Sequence, residues 1–357
     1  MLGAGIFAAV APAAAAAGSL LLAGLAIAAS VAYANATSSA QLAALYPEAG
    51  GSYVYARERL GEYWGFLAGW AFVIGKSASL AAIALTFGSY VAPQLARPAG
   101  VAALAVLTGV NYLGVEKTAR ASLIFLLVVL ATLAVVVMAA LLGGDPAAAN
   151  LGGSSPQGPL GVLHSAGLLF FAFAGYARIA TLGEEVVEPA RTIPRAIPAA
   201  LGIAVAVYSA VIVSALAAVG PESLAGSDAP LLTVVEASGW RAFSPAVRVG
   251  AAAACAGVLI SLLAGVSRTV LSMARRRELP GMLNAVHRRF NTPHRAELAT
   301  GLVVGLAVLA SDLRSAIGFS SFAVLVYYAL TNASAWTLPP GQRRWARSLA
   351  AFGFSGS

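Results

Sequence analysis

The stretch LLFFAFAGYARIATLGEEVVEPARTIPRAIP, Leu168 to Pro198, decides how the rest of the chain is read. It opens as a membrane helix, LLFFAFAG. It then sets Arg178 in or near hydrocarbon, ends on Glu184 and Glu185, and runs into a proline-rich basic connection with Arg191, Pro194, Arg195 and Pro198. A helix that only crosses lipid has no need of small residues and Gly175 at mid-depth beside an arginine. Glycine frees the backbone to unwind, and an unwound turn exposes amides and carbonyls. Inside a bilayer such groups persist only where protein or a ligand cavity covers them. The stretch therefore reads as half of a binding site.

The surrounding composition is that of a polytopic membrane protein. The chain has 357 residues, is 59% apolar and only 10% charged, and has a mean hydropathy of +0.83; soluble domains average about 25% charged residues. Apolar segments fall at 3–17, 20–40, 63–91, 100–113, 121–142, 163–183, 197–219, 247–273, 298–310 and 316–336. A further piece, 345–357, starts another helix. A span needs about 20 apolar residues, so ten crossings are expected.

The net charge of +8 has a topological explanation. With the start of the chain cytoplasmic, Arg57, Arg59, Lys117, Arg120, Arg191, Arg195, Arg275, Arg276, Arg277, Arg288, Arg289 and Arg295 all fall on the cytoplasmic side. Arg97, Arg241, Arg248 and Arg314 fall outside. Twelve against four is a positive-inside pattern. It predicts a plasma-membrane protein whose N-terminus and basic loops are cytoplasmic and whose basic loop 275–295 faces anionic lipid. Nucleic acid is a poor competitor as a partner, because the arginines have almost no aromatics among them, Phe290 alone falling within the basic loop.

The two halves mirror each other. GAGIF, Gly3 to Phe7, heads the first five segments, and FAFAGY, Phe171 to Tyr176, heads the second five. Paired interruptions at corresponding positions point to a transporter site at the midplane. Taken singly, such glycines also serve close helix packing. An odd number of spans per half gives the second half the opposite topology.

GAGIF, PEAGGSYVYARERLGEYWGFLAGW (Pro47 to Trp70) and EEVVEPARTIPRAI (Glu184 to Ile197) resemble the amino acid–polyamine–organocation permease superfamily, above all its amino-acid permeases. The likeness covers nearly the whole chain. It implies an all-α polytopic membrane protein with the LeuT-type five-plus-five inverted repeat, helices one and six broken. The repeats would be 1–142 and 163–336, joined by an external loop, 143–162, with 337–357 the remnant of a following helix. Family members carry half a helix more before GAG and further spans after the tenth, so this chain is expected to be a piece of a longer permease.

For a zwitterionic amino acid, the amides of Gly3, Ala4 and Gly5 at a half-helix N-terminus suit the carboxylate. The resemblance implies that carbonyls of Phe171, Ala172, Ala174 and Met1 take the ammonium. Phe171 and Phe173 are candidate gates, and Arg178 with Glu184 or Glu185 is a candidate gate or structural ion pair. Lys76, in VIGKSASLAAIAL, sits far from both ends of its apolar segment. A lysine at mid-membrane costs about 2.5–3.5 kcal/mol on the insertion scale, so it is expected to face inward and to serve substrate recognition or proton coupling. Its positive charge disfavours cationic substrates. Some relatives place a lysine in the fifth helix in lieu of sodium; the matching position here is Val129. Ser261, Ser267 and Thr269 are hydroxyls that commonly bond their own helix backbone, so a proton, not sodium, is the expected coupling ion.

His164, His287 and His294 have no metal spacing, and no cofactor motif, phosphate loop or catalytic triad stands out. The expected function is secondary amino-acid transport by proton-coupled symport or exchange. A non-cycling binding or sensing protein, or an inactive permease fragment, is the alternative, and an enzyme is not expected.

Overall fold

The computed structural model describes residues 2–46, 50–114, 119–143, 146–176 and 188–357. Every regular element among them is helical. The principal helices are α1 (Gly5–Ala17), α2 (Leu21–Leu45), α3 (Ser52–Leu60), α4 (Glu62–Val91), α5 (Ala96–Tyr112), α6 (Ala119–Leu142) and α7 (Gly158–Phe173). They continue with α8 (Pro189–Ala225), α9 (Pro230–Ala237), α10 (Ser244–Arg275), α11 (His294–Ala310), α12 (Leu313–Trp336) and α13 (Arg347–Gly356). Among the described residues six helical stretches are long and apolar enough to cross a bilayer, against the ten crossings expected, with Gly5–Leu45 taking in two of the expected segments: Gly5–Leu45, Glu62–Val91, Leu123–Leu142, Arg191–Ala225, Arg241–Arg275 and Leu313–Trp336. The helix α7 is a shorter apolar one.

Several segments differ from their sequence-based limits; the helix expected at 197–219 runs Pro189–Ala225, so Arg191, Pro194, Arg195 and Pro198, read above as a connection, lie in its first turns. The segment 20–40 continues to Leu45 because its polar end is buried: Asn332 Nδ2 donates to Asn35 Oδ1 at 2.6 Å, and Gln41 Oε1 accepts from the Arg344 amide at 3.4 Å. The segment 163–183 begins at Gly158 and loses its α-helix after Phe173, where Ala174–Tyr176 tightens into a 3-10 turn.

The first helix, GIFAAVAPAAAAA, is apolar all round, which is the pattern of a helix buried on every side. Ile6 to Ala14 and Ala16–Ala17 are all buried, with α2, α4, α7, α8, α9 and α12 packed around them. By contrast, Leu298, Leu302, Leu306 and Leu309 of α11 and Leu123, Ile124 and Leu127 of α6 are exposed. Those faces are where acyl chains would lie.

The packing repeats itself when the halves are exchanged. Matching α1, α2, α4, α5 and α6 with α7, α8, α10, α11 and α12, the contact of α1 with α8 has its counterpart in that of α7 with α2. The contact of α4 with α12 matches that of α10 with α6, and α4 with α11 matches α10 with α5. The short helices obey the same rule: α3 packs on α4 and α12, and α9 packs on α10 and α6. This exchange symmetry is what an inverted repeat produces.

Each end of the bundle is tied by polar contacts. At the basic end, Gly61 (φ 107°) supplies the left-handed turn between α3 and α4. Arg57 of α3 reaches Glu278 beyond α10 at 2.6 Å and Glu62 of α4 at 2.7 Å. The Tyr53 hydroxyl donates to the second oxygen of Glu278 at 2.7 Å. Burial first, and then this bond, pushes the Tyr53 phenol above its ordinary range. At the opposite end Tyr90 of α4 gathers three elements. Its hydroxyl donates to Phe7 O at 3.5 Å and accepts from Leu231 N at 3.3 Å, and its carbonyl accepts from Arg248 Nη1 at 2.9 Å.

Two stability measurements follow. With side-chain exposures of only 18% and 14% for Arg57 and Glu278, Glu278→Ala should cost about 2 kcal/mol, the scale of a hydrogen bond to a charged group; thermal melts in detergent read it directly. Asp312 caps α12 by accepting from the Ser315 amide at 3.0 Å and its hydroxyl at 2.7 Å. These bonds hold its carboxyl below the usual range. A depressed carboxyl stabilises the fold above its unfolded value, about 3.9, and loses that contribution as pH falls through the folded value. Asp312→Ala should cost about 1 kcal/mol at neutral pH, Asp312→Asn much less, and the Asp312→Ala deficit should vanish in acid.

Candidate functional site

The start of α1 and the end of α7 meet inside the bundle. Gly3 is in a bend, Ala4 is the N-cap and α1 begins at Gly5, with no side chain capping it. Ala4 O already accepts from Phe7 and Ala8, so the chain is helical from there while the first amides have no partner within the helix. On the other side, Ala174 N donates to Phe170 O. Phe171, Ala172 and Phe173 lie in the last turn of α7, whose carbonyls have no partner within the helix.

The α-helix ends at Phe173 and gives way directly to the 3-10 turn Ala174–Tyr176, which corrects the expectation that Phe171 and Ala172 are themselves unwound. Their carbonyls are still presented, as a helix C-terminus. The physical reason is that a helix need not unwind to free its last turn of acceptors.

The two ends touch. A Cβ built on Gly5 would lie 2.5 Å from Ala172 Cα and 3.0 Å from its Cβ. Only glycine permits this approach. A helix N-terminus carries partial positive charge and a C-terminus partial negative charge. Placed against each other in a buried setting, they form a dipolar site: donors for an anion beside acceptors for a cation.

Two side chains bridge the junction. Tyr208, buried on α8, accepts from the Gly3 amide and donates to Ala172 O at 3.3 Å, so one hydroxyl spans both helix ends. Phe173 packs on the Tyr208 ring at 5.4 Å between centroids. Lys76, midway along α4 and 5% exposed, donates from Nζ to Ala174 O at 3.1 Å. One turn further along, Ser79 shares a 2.6 Å hydrogen bond with Ser320 of α12.

Of the residues singled out in the sequence, Gly3, Ala4, Gly5, Phe171, Ala172, Phe173, Ala174 and Lys76 gather here. Phe171 and Phe173 are buried and face protein. Met1, Arg178, Glu184 and Glu185 lie outside the described residues. Val129 is buried in α6. Ser261, Ser267 and Thr269 each donate to the carbonyl four residues earlier in α10, Gly257, Leu263 and Gly265.

Sequence reasoning missed Tyr208 and Glu297. The signal for Tyr208 is a lone phenol in the apolar run IAVAVYSAVIV. Glu297, in the first turn of α11, is 2% exposed with Ser267, Asn111 and Arg268 beside it, and its Oε1 makes no hydrogen bond. The rings of His287 and His294, seven positions apart, come to 5.4 Å, yet among the described residues no group of His, Cys, Asp or Glu could hold a metal ion.

A family model described as amino acid permease matches residues 1–339. The chain belongs to the amino acid permease family. It is 56% identical over 358 residues to an uncharacterized transporter of Mycobacterium tuberculosis, covering 100% of this chain and 81% of that relative. It is 26% identical over 331 residues to a branched-chain amino acid permease of Bacillus subtilis, covering 86% and 70%. Similarity to a methylthioribose transporter of the same bacterium is 29% over 310 residues, covering 80% and 65%. Family and helices together make this a multi-pass membrane transporter, not an enzyme.

The close approach sets a paired test. Gly5→Ala pushes a methyl into the Ala172 backbone and should destabilise the permease by about 1–3 kcal/mol. Gly167→Ala, in α7 with nothing within 4 Å, should instead stabilise by about 0.5–1 kcal/mol. Thermal melts of the two variants should move in opposite directions.

Proposed function

We propose that this permease carries a neutral amino acid across the plasma membrane by alternating access, as a secondary transporter coupled to protons or working by exchange. The substrate carboxylate sits on the amides of Gly3, Ala4 and Gly5, and its ammonium on the carbonyls at the end of α7, including Phe171, Ala172 and Ala174. Lys76 lines the same site and, while protonated, disfavours the approach of cationic side chains. The N-terminus and the basic loops face the cytoplasm, following the positive-inside pattern. Repeat 1–142 and repeat 163–336 move against each other around the site, with Phe173 beside the path.

The observation that carries this reading is the juxtaposition of Gly5 with Ala172: two helix ends of opposite polarity in direct contact inside the bundle. A zwitterion matches both ends at once. The branched-chain permease among the relatives favours an apolar amino acid as cargo.

The full chain, purified and reconstituted in liposomes, should be screened with the twenty amino acids by uptake and thermal shift. At least one neutral amino acid should accumulate and raise the melting temperature, and Gly5→Val should cut its uptake at least about tenfold, the 1.4 kcal/mol equivalent of losing one good contact. Failure of all twenty in both assays overturns the reading.

A further inference from the structure

We propose that Lys76 is a tethered competitor for the ammonium position of the substrate, so that binding the amino acid expels a proton. The inference rests on the transport reading above and gives the sense of its coupling. Its carrier is a single contact: Nζ of Lys76 lies 3.1 Å from Ala174 O, an acceptor at the helix break to which a substrate ammonium would bind. The side chain is an alkylammonium, the same chemical group as that ammonium, delivered from α4 on a four-carbon stem.

The described surroundings offer the ammonium no other ionic support. Among the described residues no carboxylate forms an ion pair with Lys76. Ser79 and Ser320 are engaged with each other. On α12 the titratable groups facing these helices are Tyr327, whose ring is tilted against Phe72 of α4, and Tyr328, whose ring meets Phe170 of α7 edge to face. Cys255 of α10 lies toward Tyr90 at the opposite end, and Arg268 of α10 lies beside Glu297 of α11. Tyr53 and Arg57 of α3 sit at the basic end with Glu278, Arg97 of α5 bonds Ser311 O past the end of α11, and α1 has no titratable side chain.

Two ammonium groups cannot share one carbonyl in a water-poor site, because like charges at contact repel strongly there. When the substrate takes Ala174 O, Lys76 gives up its proton to solvent: the N–H bond breaks, the electron pair stays on Nζ, and one positive charge leaves as the other arrives. Reprotonation of Lys76 restores its bond to Ala174 O and ejects the substrate. Substrate and proton thus exclude each other, which makes the permease an exchanger of the two and not a symporter.

The test uses the amino acid giving the largest thermal shift in the twenty-compound screen. Its dissociation constant is measured from pH 6 to pH 8 for the wild type, Lys76→Met and Lys76→Arg. Wild-type affinity should rise with pH, approaching about tenfold per unit for one linked proton. Lys76→Met should bind more tightly than wild type at pH 6 and show a flat profile. Lys76→Arg, which keeps its charge throughout, should bind weakly with a flat profile. A wild-type profile that is flat, a Met variant with the wild-type slope, or a Met variant weaker than wild type at pH 6 overturns the competitor role while leaving transport intact. If no amino acid binds any of the three, the transport reading falls and this inference with it. Melting temperatures of the ligand-free variants check that each is folded.

Discussion

Main-chain amides and carbonyls have nowhere to go in hydrocarbon except to each other, to protein or to a guest. That constraint organises this molecule. The helix α1 begins, and α7 ends, in the middle of the bundle, and each leaves a turn of backbone groups without partners. The structure meets the cost by surrounding the junction. Neighbouring helices enclose it, Tyr208 takes one group from each side, and Lys76 takes a third.

The enclosure depends on features far from the junction. Gly5 can meet Ala172 only because α1 is built of side chains small enough to be ringed by other helices. The ring is fastened at one end by Tyr53, Arg57 and Glu278 and at the other by Tyr90. Both fastenings use α4, which also bears Lys76 at its middle. One helix therefore connects the two ends of the bundle and the site between them.

Much of this was legible in the sequence. Apolar segments located most of the helices, and an isolated lysine in VIGKSASLAAIAL announced a charge that must face inward. These signals are local, and periodicity or composition carries them. The contacts joining distant positions were not legible. Tyr208 and Ala172 are 36 residues apart, and Tyr53 and Glu278 are 225 apart; no pattern within either segment names its partner. The end of α2 was not legible, since Gln41, past the apolar segment 20–40, is buried only because the distant Arg344 amide is placed against it.

The alanine-rich make-up of α1 has a mechanical corollary. Helices grip one another by ridges of side chains seated in grooves, and a long side chain must leave its groove before its helix can shift. Methyl groups raise only shallow ridges. A rod surfaced with them slides and tilts against its neighbours with few rotamers to reset, so the element most deeply enclosed is also the one least latched. The central shaft of the bundle is thereby given a smooth bearing.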